Sequence, residues 1–303
     1  MDQPTSEHFK SGFIAVMGRP NVGKSTLVNA ILGQKVAAVS PRPQTTRKRQ
    51  LGIMTTPEVQ IIFVDTPGVN KIHHKLGQAM NQQAREALQD CDLILFVVDA
   101  VEPPSEEDQV LADWILSLER QNATLLVVNK IDAISKTNLI ERLDQYHKLL
   151  PQAEVFPVSA LRGDQRQELV SSLIERLPEG PLYYPEEQVT DLFEREIAAD
   201  LIRESALILL KEEVPHGIAV RVDEYKDRSE TTAYIAATIF VERETHKGIV
   251  IGQNGSMLKK IGTAARLEIE ALTGRKIYLE LRVKVRKNWR DDENALKAFG
   301  FSS

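Results

Sequence analysis

Between Gly18 and Ser25 the chain reads Gly-Arg-Pro-Asn-Val-Gly-Lys-Ser, directly after the apolar run Phe13-Ile14-Ala15-Val16 and directly before an amphipathic stretch. Strand, glycine loop and helix in that order leave few folds open, because the loop turns successive N–H groups inward at a helix N-terminus and so builds a phosphate cradle. Gly18 and Gly23 permit the curl, and the amides of residues 21–25 face the oxygens. Lys24 carries a charge to the β- and γ-phosphates, and Ser25 offers a hydroxyl to Mg²⁺.

Up to about residue 178 short apolar runs alternate with helical patterns. Residues 13–17, 59–64, 93–98, 124–128 and 154–158 read as strands, several of them apolar on both faces, which fits an α/β fold with a mostly parallel sheet covered by helices. The Pro/Gly-rich stretch from Leu177 to Pro185 can continue neither a helix nor a central strand. We therefore expect a first domain over 1–180, a linker over 181–190 and a second domain over 191–303. The second reads α-β-β-α-α-β, an α+β order. It opens with a helix over 190–211 that Thr190 would cap and that turns Leu192, Phe193, Ile197, Leu201, Ile202 and Ile208 toward one face. Strands over 217–226 and 231–242 follow, joined by the charged turn Lys226 to Glu230. After them come helices near 247–252 and 256–272 and a strand over 276–286.

With 303 residues, 42% of them hydrophobic, the chain has material for two cores. No uncharged run approaches the ~18 residues of a membrane span, and the N-terminus lacks a signal-peptide pattern, so a cytoplasmic location is expected. Cys91 is the only cysteine and reads as the mouth of a buried strand. The net charge of −5 hides an asymmetry: residues 245–290 hold eleven Lys/Arg against three acids. One basic segment on an acidic body points to a polyanion met by one part of the molecule.

Phosphate binding does not choose the base; the loops after later strands do. Asp132 in Asn129-Lys130-Ile131-Asp132 can accept from N1–H and N2–H of guanine, a donor pair adenine lacks. Asn129 can reach the opposite edge, the Lys130 stem can lie along the nucleotide, and after Ser159 the Ala160 amide can donate to O6. In Asp65-Thr66-Pro67-Gly68, Asp65 would hold Mg²⁺ through a water and the Gly68 amide would touch the γ-phosphate. The segment from Gly68 to about Gln83 then reads as an order–disorder switch. A second switch must give Mg²⁺ a hydroxyl. Thr45 and Thr46, in Ser40-Pro41-Arg42-Pro43-Gln44-Thr45-Thr46-Arg47, compete for that role, and Thr46 is favoured. His73 and His74 lack a third ligand nearby in sequence and are read as part of the mobile switch segment.

In the second domain, Gly252-Gln253-Asn254-Gly255 joins two helical segments in the basic stretch. Glycines so spaced let a nucleic-acid backbone approach closely, as in KH modules. Ile249-Val250-Ile251 would floor a groove for bases, and Lys247, Lys259 and Lys260 flank it. Arg282, Lys284, Arg286 and Lys287 follow along the last strand, and the first three are expected to share an RNA-binding face with the loop.

Together Gly-Arg-Pro-Asn-Val-Gly-Lys-Ser, Gln-Thr-Thr-Arg, Asp-Thr-Pro-Gly, Asn-Lys-Ile-Asp and Val-Ser-Ala resemble the TrmE-Era-EngA group of GTPases. One G domain followed by a KH-like module narrows the resemblance to the Era family over residues 11–301. The resemblance implies a Mg²⁺-dependent GTPase with a type II KH domain, taking GTP to GDP. It adds Arg19, Pro20, Val22, Thr26, Thr66 and Pro67 to the nucleotide-binding set and makes Lys24, Thr46, Asp65 and Gly68 the catalytic one. It implies binding to the 3′ end of 16S rRNA and a part in 30S subunit maturation. A K⁺ held by Asn21, peripheral membrane contact and a monomeric state come with the same resemblance. Val69 stands where many GTPases carry a water-orienting glutamine, so slow intrinsic hydrolysis is expected. An RNA chaperone with little turnover and a membrane-associated GTPase are the alternative readings.

Overall fold

A computed structural model of the chain describes residues 8–40, 45–69, 74–120, 123–211 and 213–301. They fall into two compact units, the first built mainly from residues before Leu192 and the second mainly from Leu192 onward.

The first unit is a six-stranded sheet in the order β2-β3-β1-β4-β5-β6. Its strands are β1 (Lys10–Met17), β2 (Gln50–Thr55), β3 (Val59–Asp65), β4 (Leu93–Asp99), β5 (Thr124–Asn129) and β6 (Glu154–Pro157). All neighbours run parallel except β2 and β3. Helices α1 (Lys24–Leu32), α2 (Lys75–Gln89), α3 (Glu106–Ser117), α4 (Lys136–His147) and α5 (Arg166–Arg176) complete it. β3 and β4 are buried along their whole length, as runs apolar on both faces require, and two hydrophobic clusters lie on the two sides of the sheet. Cys91, just before β4, is buried.

Residues 183–190, part of the expected linker, run along this unit together with Asp191, expected in the second domain. Buried Gln60 accepts from the amides of Tyr183 and Tyr184 at 2.8 and 3.0 Å and donates to the Tyr184 carbonyl at 2.9 Å. The Tyr183 ring meets Phe13 edge-on, with 5.2 Å between centroids. Beyond it, the Val189 carbonyl and the Asp191 carboxylate take the outward amides of Ile53 and Leu51. The strap thereby covers the edge of β2, which would otherwise present unpaired donors.

The second unit carries α6 (Glu194–Leu209), β7 (Ala219–Ser229), β8 (Thr232–Val241), α7 (Glu244–Ile251), α8 (Ser256–Thr273), β9 (Lys276–Val285) and α9 (Glu293–Ala298). β8 pairs antiparallel with β7 and parallel with β9, in the order β7-β8-β9. α6 begins at Glu194, so Thr190 is not its cap, and Phe193 and Ile208 are exposed at 78% and 53% instead of facing the core. Leu201 and Ile202 of the same helix are buried with Ile261 and Ala265 of α8. β7 runs on through the expected charged turn as far as Ser229.

Candidate functional site

In the first unit the loops that follow β1, β3, β5 and β6 all leave the C-terminal ends of parallel strands, where open α/β sheets place their ligands. The loop from Gly18 to Gly23 is wound by positive φ at Gly18, Asn21 and Gly23, and α1 starts at Lys24. The Lys24 ammonium donates to the carbonyls of Gly18 and Arg19 at 3.0 and 3.1 Å. Burial pushes its pKa down to about 8, against the pull of Asp65 and Asp108. A phosphate oxygen is a stronger partner for this ammonium than either carbonyl.

Three oxygens converge beside it. The Ser25 hydroxyl donates to Asp65 Oδ2 at 2.7 Å and lies 2.9 Å from Thr46 Oγ1, which in turn donates to Asp65 Oδ2 at 3.3 Å. Thr45 is elsewhere, its hydroxyl 2.8 Å from that of Ser40. Asp65 is 1% exposed, and its Oδ1 has no hydrogen-bond partner among the described residues. Burial raises its pKa, against Lys24 and the side-chain donors Ser25, Gln50 and Thr46. Two hydroxyls beside a carboxylate with an open oxygen form a hard donor set that fits Mg²⁺. Gln50, which sequence reasoning missed, donates its side-chain amide to Asp65 Oδ2 at 3.3 Å from the first position of β2.

Several expected nucleotide contacts are internal braces. Asn129 donates one side-chain N–H to the Val22 carbonyl at 2.8 Å and accepts the Ala160 amide at 3.0 Å, so the Ala160 amide is engaged inside the site. Arg19 turns to Glu102 at 2.8 Å and Asp108 at 3.3 Å, where burial raises the Asp108 pKa. Thr66 is fully buried and donates to the Val16 carbonyl at 2.8 Å, and Val22 is fully buried too. Asp132 accepts the Ser159 hydroxyl at 2.5 Å through one oxygen, and Lys130 is held by Asp99 at 2.6 Å, a partner the motif did not disclose. Gly68 packs on Pro20, whose nitrogen would lie 2.8 Å from an added Cβ. Thr26 lies in the first turn of α1. Val69 is 2% exposed in the hydrophobic core, so its side chain orients no water. From Lys75 on, the expected switch segment is the helix α2. The readings of Pro41 to Gln44, of Asn70 to Ile72 and of His73 lie outside the described residues.

In the second unit α7 ends at Ile251, the Gly252–Gly255 loop follows, and α8 begins at Ser256. Gln253 and Asn254 are exposed at the tip. Beside it a groove runs between α8 and β9, lined by Gly255, Leu258, Lys259, Gly262, Thr263, Arg266, Leu279 and Leu281. Its apolar floor is thus Leu258, Leu279 and Leu281. Ile249 is half exposed, Ile251 partly so and Val250 buried; none of the three lines the groove. Lys260 is exposed, and Lys247 lies 3.8 Å from Glu244.

The structure divides the expected basic face. Along β9 the odd residues turn to the helices and the groove while the even ones are exposed on the far side of the sheet. Arg282 and Lys284 therefore lie on the face opposite the groove. Arg286 is engaged by Asp292 at 3.0 Å and stacks over Phe299.

A P-loop domain with a guanine-type Asn-Lys-x-Asp loop, followed by a KH-type fold, defines the class as a GTPase carrying an RNA-binding module. Family models agree: residues 13–130 match the 50S ribosome-binding GTPase family and residues 213–290 the KH domain. GTPase Era of Halothermothrix orenii is 47% identical over 293 residues, covering 97% of this chain and 99% of that protein. A crystal structure of Era with MgGDPNP and nucleotides 1506–1542 of 16S ribosomal RNA has a TM-score of 0.93 at 42% identity, covering 98% of this chain and all of that one. A point variant of Aquifex aeolicus Era bound to GDP·AlF₄⁻ has a TM-score of 0.92 at 41% identity, covering 97% of this chain and all of that one. The chain belongs to the Era family of GTPases.

Proposed function

We propose that this GTPase binds the 3′ end of 16S rRNA through the groove between α8 and β9, and that it acts in rRNA processing and 30S subunit assembly. The supporting observation is the groove itself: an apolar floor for bases, Lys259 and Arg266 at its rim, and the Gly252–Gly255 loop beside it. Its relative was crystallised with that stretch of RNA.

In the nucleotide pocket, Lys24 and the amides of residues 21–25 hold the β- and γ-phosphates, and the Gly68 amide approaches the γ-phosphate. Asp132 reads guanine, while Asn129 acts through the positions of Val22 and Ala160. Ser25 and Thr46 would hold Mg²⁺ directly and Asp65 through a water; the ion, when bound, neutralises charge developing on the phosphates. With Val69 in the core, water orientation falls to a group outside that side chain, and intrinsic hydrolysis is slow. Asn21, at φ 66, stands on the loop where a K⁺ would meet the phosphates; equal hydrolysis in Na⁺ and K⁺ would remove that assignment. We also propose a cytoplasmic location; among the described residues no helix is long and apolar enough to cross a membrane. Co-sedimentation with anionic vesicles tests the peripheral contact.

The decisive binding test uses labelled RNA ending in the 16S 3′ sequence and the same RNA scrambled. Leu281→Glu places a carboxylate in the groove floor and should weaken binding of the cognate RNA by about tenfold or more, on the order of the 1–3 kcal/mol that a stacked base contributes. Equal affinity for both RNAs, or an unaffected Leu281→Glu variant, defeats the proposal.

A further inference from the structure

We propose that the open face of the β7-β8-β9 sheet is a second RNA contact, a stacking platform for bases that have left the groove; it rests on the RNA-binding reading above. On β8, Ala233, Ile235 and Ala237 lie in the core beneath α6 and α8, so the intervening residues form the opposite face. There Tyr234 and Tyr278 are register partners on neighbouring strands, which sets their rings side by side. Tyr278 is 57% exposed. The Arg228 guanidinium lies 4.8 Å from the Tyr234 ring centroid and 5.2 Å from that of Tyr278. Aromatic faces beside a planar cation are the surface on which single-stranded bases stack.

The charge of this face fits the same occupant. Its carboxylates Asp223, Glu224 and Glu280 are ion-paired with Arg221, Lys226 and Arg282. Arg228, Lys276 and Lys284 remain in excess, with no ion pair among the described residues, giving the face a net positive charge. At the other end the Phe240 ring meets Phe299 at 5.0 Å, so the chain's own C-terminal segment closes the face there and leaves the tyrosine end open.

The path is short. β9 is an outer strand of the sheet, with Leu279 and Leu281 in the groove and Tyr278 on the opposite face. An RNA strand that leaves the groove across this edge meets the platform next.

Two RNA probes test the idea on the full chain: nucleotides 1506–1542 of 16S rRNA, the stretch crystallised with the relative, and a single strand of about four nucleotides from its 3′ end, the length that a KH groove clamps. Tyr234→Ala/Tyr278→Ala should weaken the longer RNA by about fivefold or more and leave the shorter unchanged. Tyr234→Phe/Tyr278→Phe, which keeps both rings, should behave as the parent. Leu281→Glu should weaken both RNAs, which reports on the groove independently. The proposal is overturned if the alanine pair binds the longer RNA like the parent, or if it weakens both RNAs equally. Should the parent bind neither RNA, the groove reading fails and the platform falls with it.

Discussion

The two glycines of the Gly252–Gly255 loop differ in what an alanine would cost, and the difference separates folding from RNA contact. Gly252 sits at φ 72, ψ 174, a region essentially reserved for glycine, and an added Cβ would lie 2.8 Å from both the backbone nitrogen and the Cβ of Met257. The conformation alone costs about 1–3 kcal/mol and the clash at the start of α8 about as much again, so Gly252→Ala should destabilise the second unit by roughly 2–6 kcal/mol. Gly255 sits at φ 77, ψ 11, with nothing within 4 Å of its added Cβ. There the left-handed conformation costs about 1–2 kcal/mol, partly offset by a stiffer unfolded chain, leaving roughly 0.5–1 kcal/mol. Urea unfolding followed by the fluorescence of buried Trp289, in a Trp114→Phe background that leaves it the sole tryptophan, reads this unit alone. Gly255→Ala should keep most of the stability yet lose RNA affinity, because its Cβ stands where a backbone must approach the groove. The reasoning is refuted if both variants unfold at the same urea concentration, or if Gly255→Ala binds RNA like the parent.

Three further outcomes follow from the first unit. Asp132→Asn exchanges an acceptor for a donor, so GTP affinity should fall by about two or more orders of magnitude while xanthosine triphosphate gains, measured by competition against a fluorescent GDP. Thr46→Ala should raise the Mg²⁺ concentration needed to slow release of the bound GTP analogue, while Thr45→Ala, whose hydroxyl pairs with Ser40, should not; the reverse order would reassign the ligand. Gln60→Leu strips partners from the amides of Tyr183 and Tyr184 and from the Tyr184 carbonyl, a loss of about 3–5 kcal/mol. Hydrogen exchange at those two amides should accelerate with it, and a cost below about 1 kcal/mol would show that the strap is held by other contacts.

What the sequence disclosed and what it concealed divide along physical lines. Long apolar runs such as Leu93 to Val98 announce buried strands because nothing else hides so many aliphatic side chains. Gln50 to Thr55, with a glycine and polar ends, gives no such signal; it becomes β2 because its backbone pairs with β3 and the strap covers its other edge. The strap itself read as a linker from its prolines, since the amide that binds it, Gln60, lies 123 residues away from Tyr183. The nucleotide loops were legible one by one from motif and strand context. Their cross-braces were not: Asn129 to Val22 and to Ala160 are long-range pairings that only the folded sheet brings together. On β9 the alternation of charge and leucine was visible, but which side held the groove depended on where α8 packs.

We propose that the chain works as one switch, in which the state of the guanine-nucleotide pocket governs the RNA groove, and RNA affinity in the two nucleotide states tests that most directly. Binding of 16S nucleotides 1506–1542 to the full chain, measured with GDP and with a non-hydrolysable GTP analogue in Mg²⁺, gives the coupling free energy. Binding with the analogue should be tighter by at least fivefold, about 1 kcal/mol. Equal affinity in both states would contradict it and leave two independent domains on one chain.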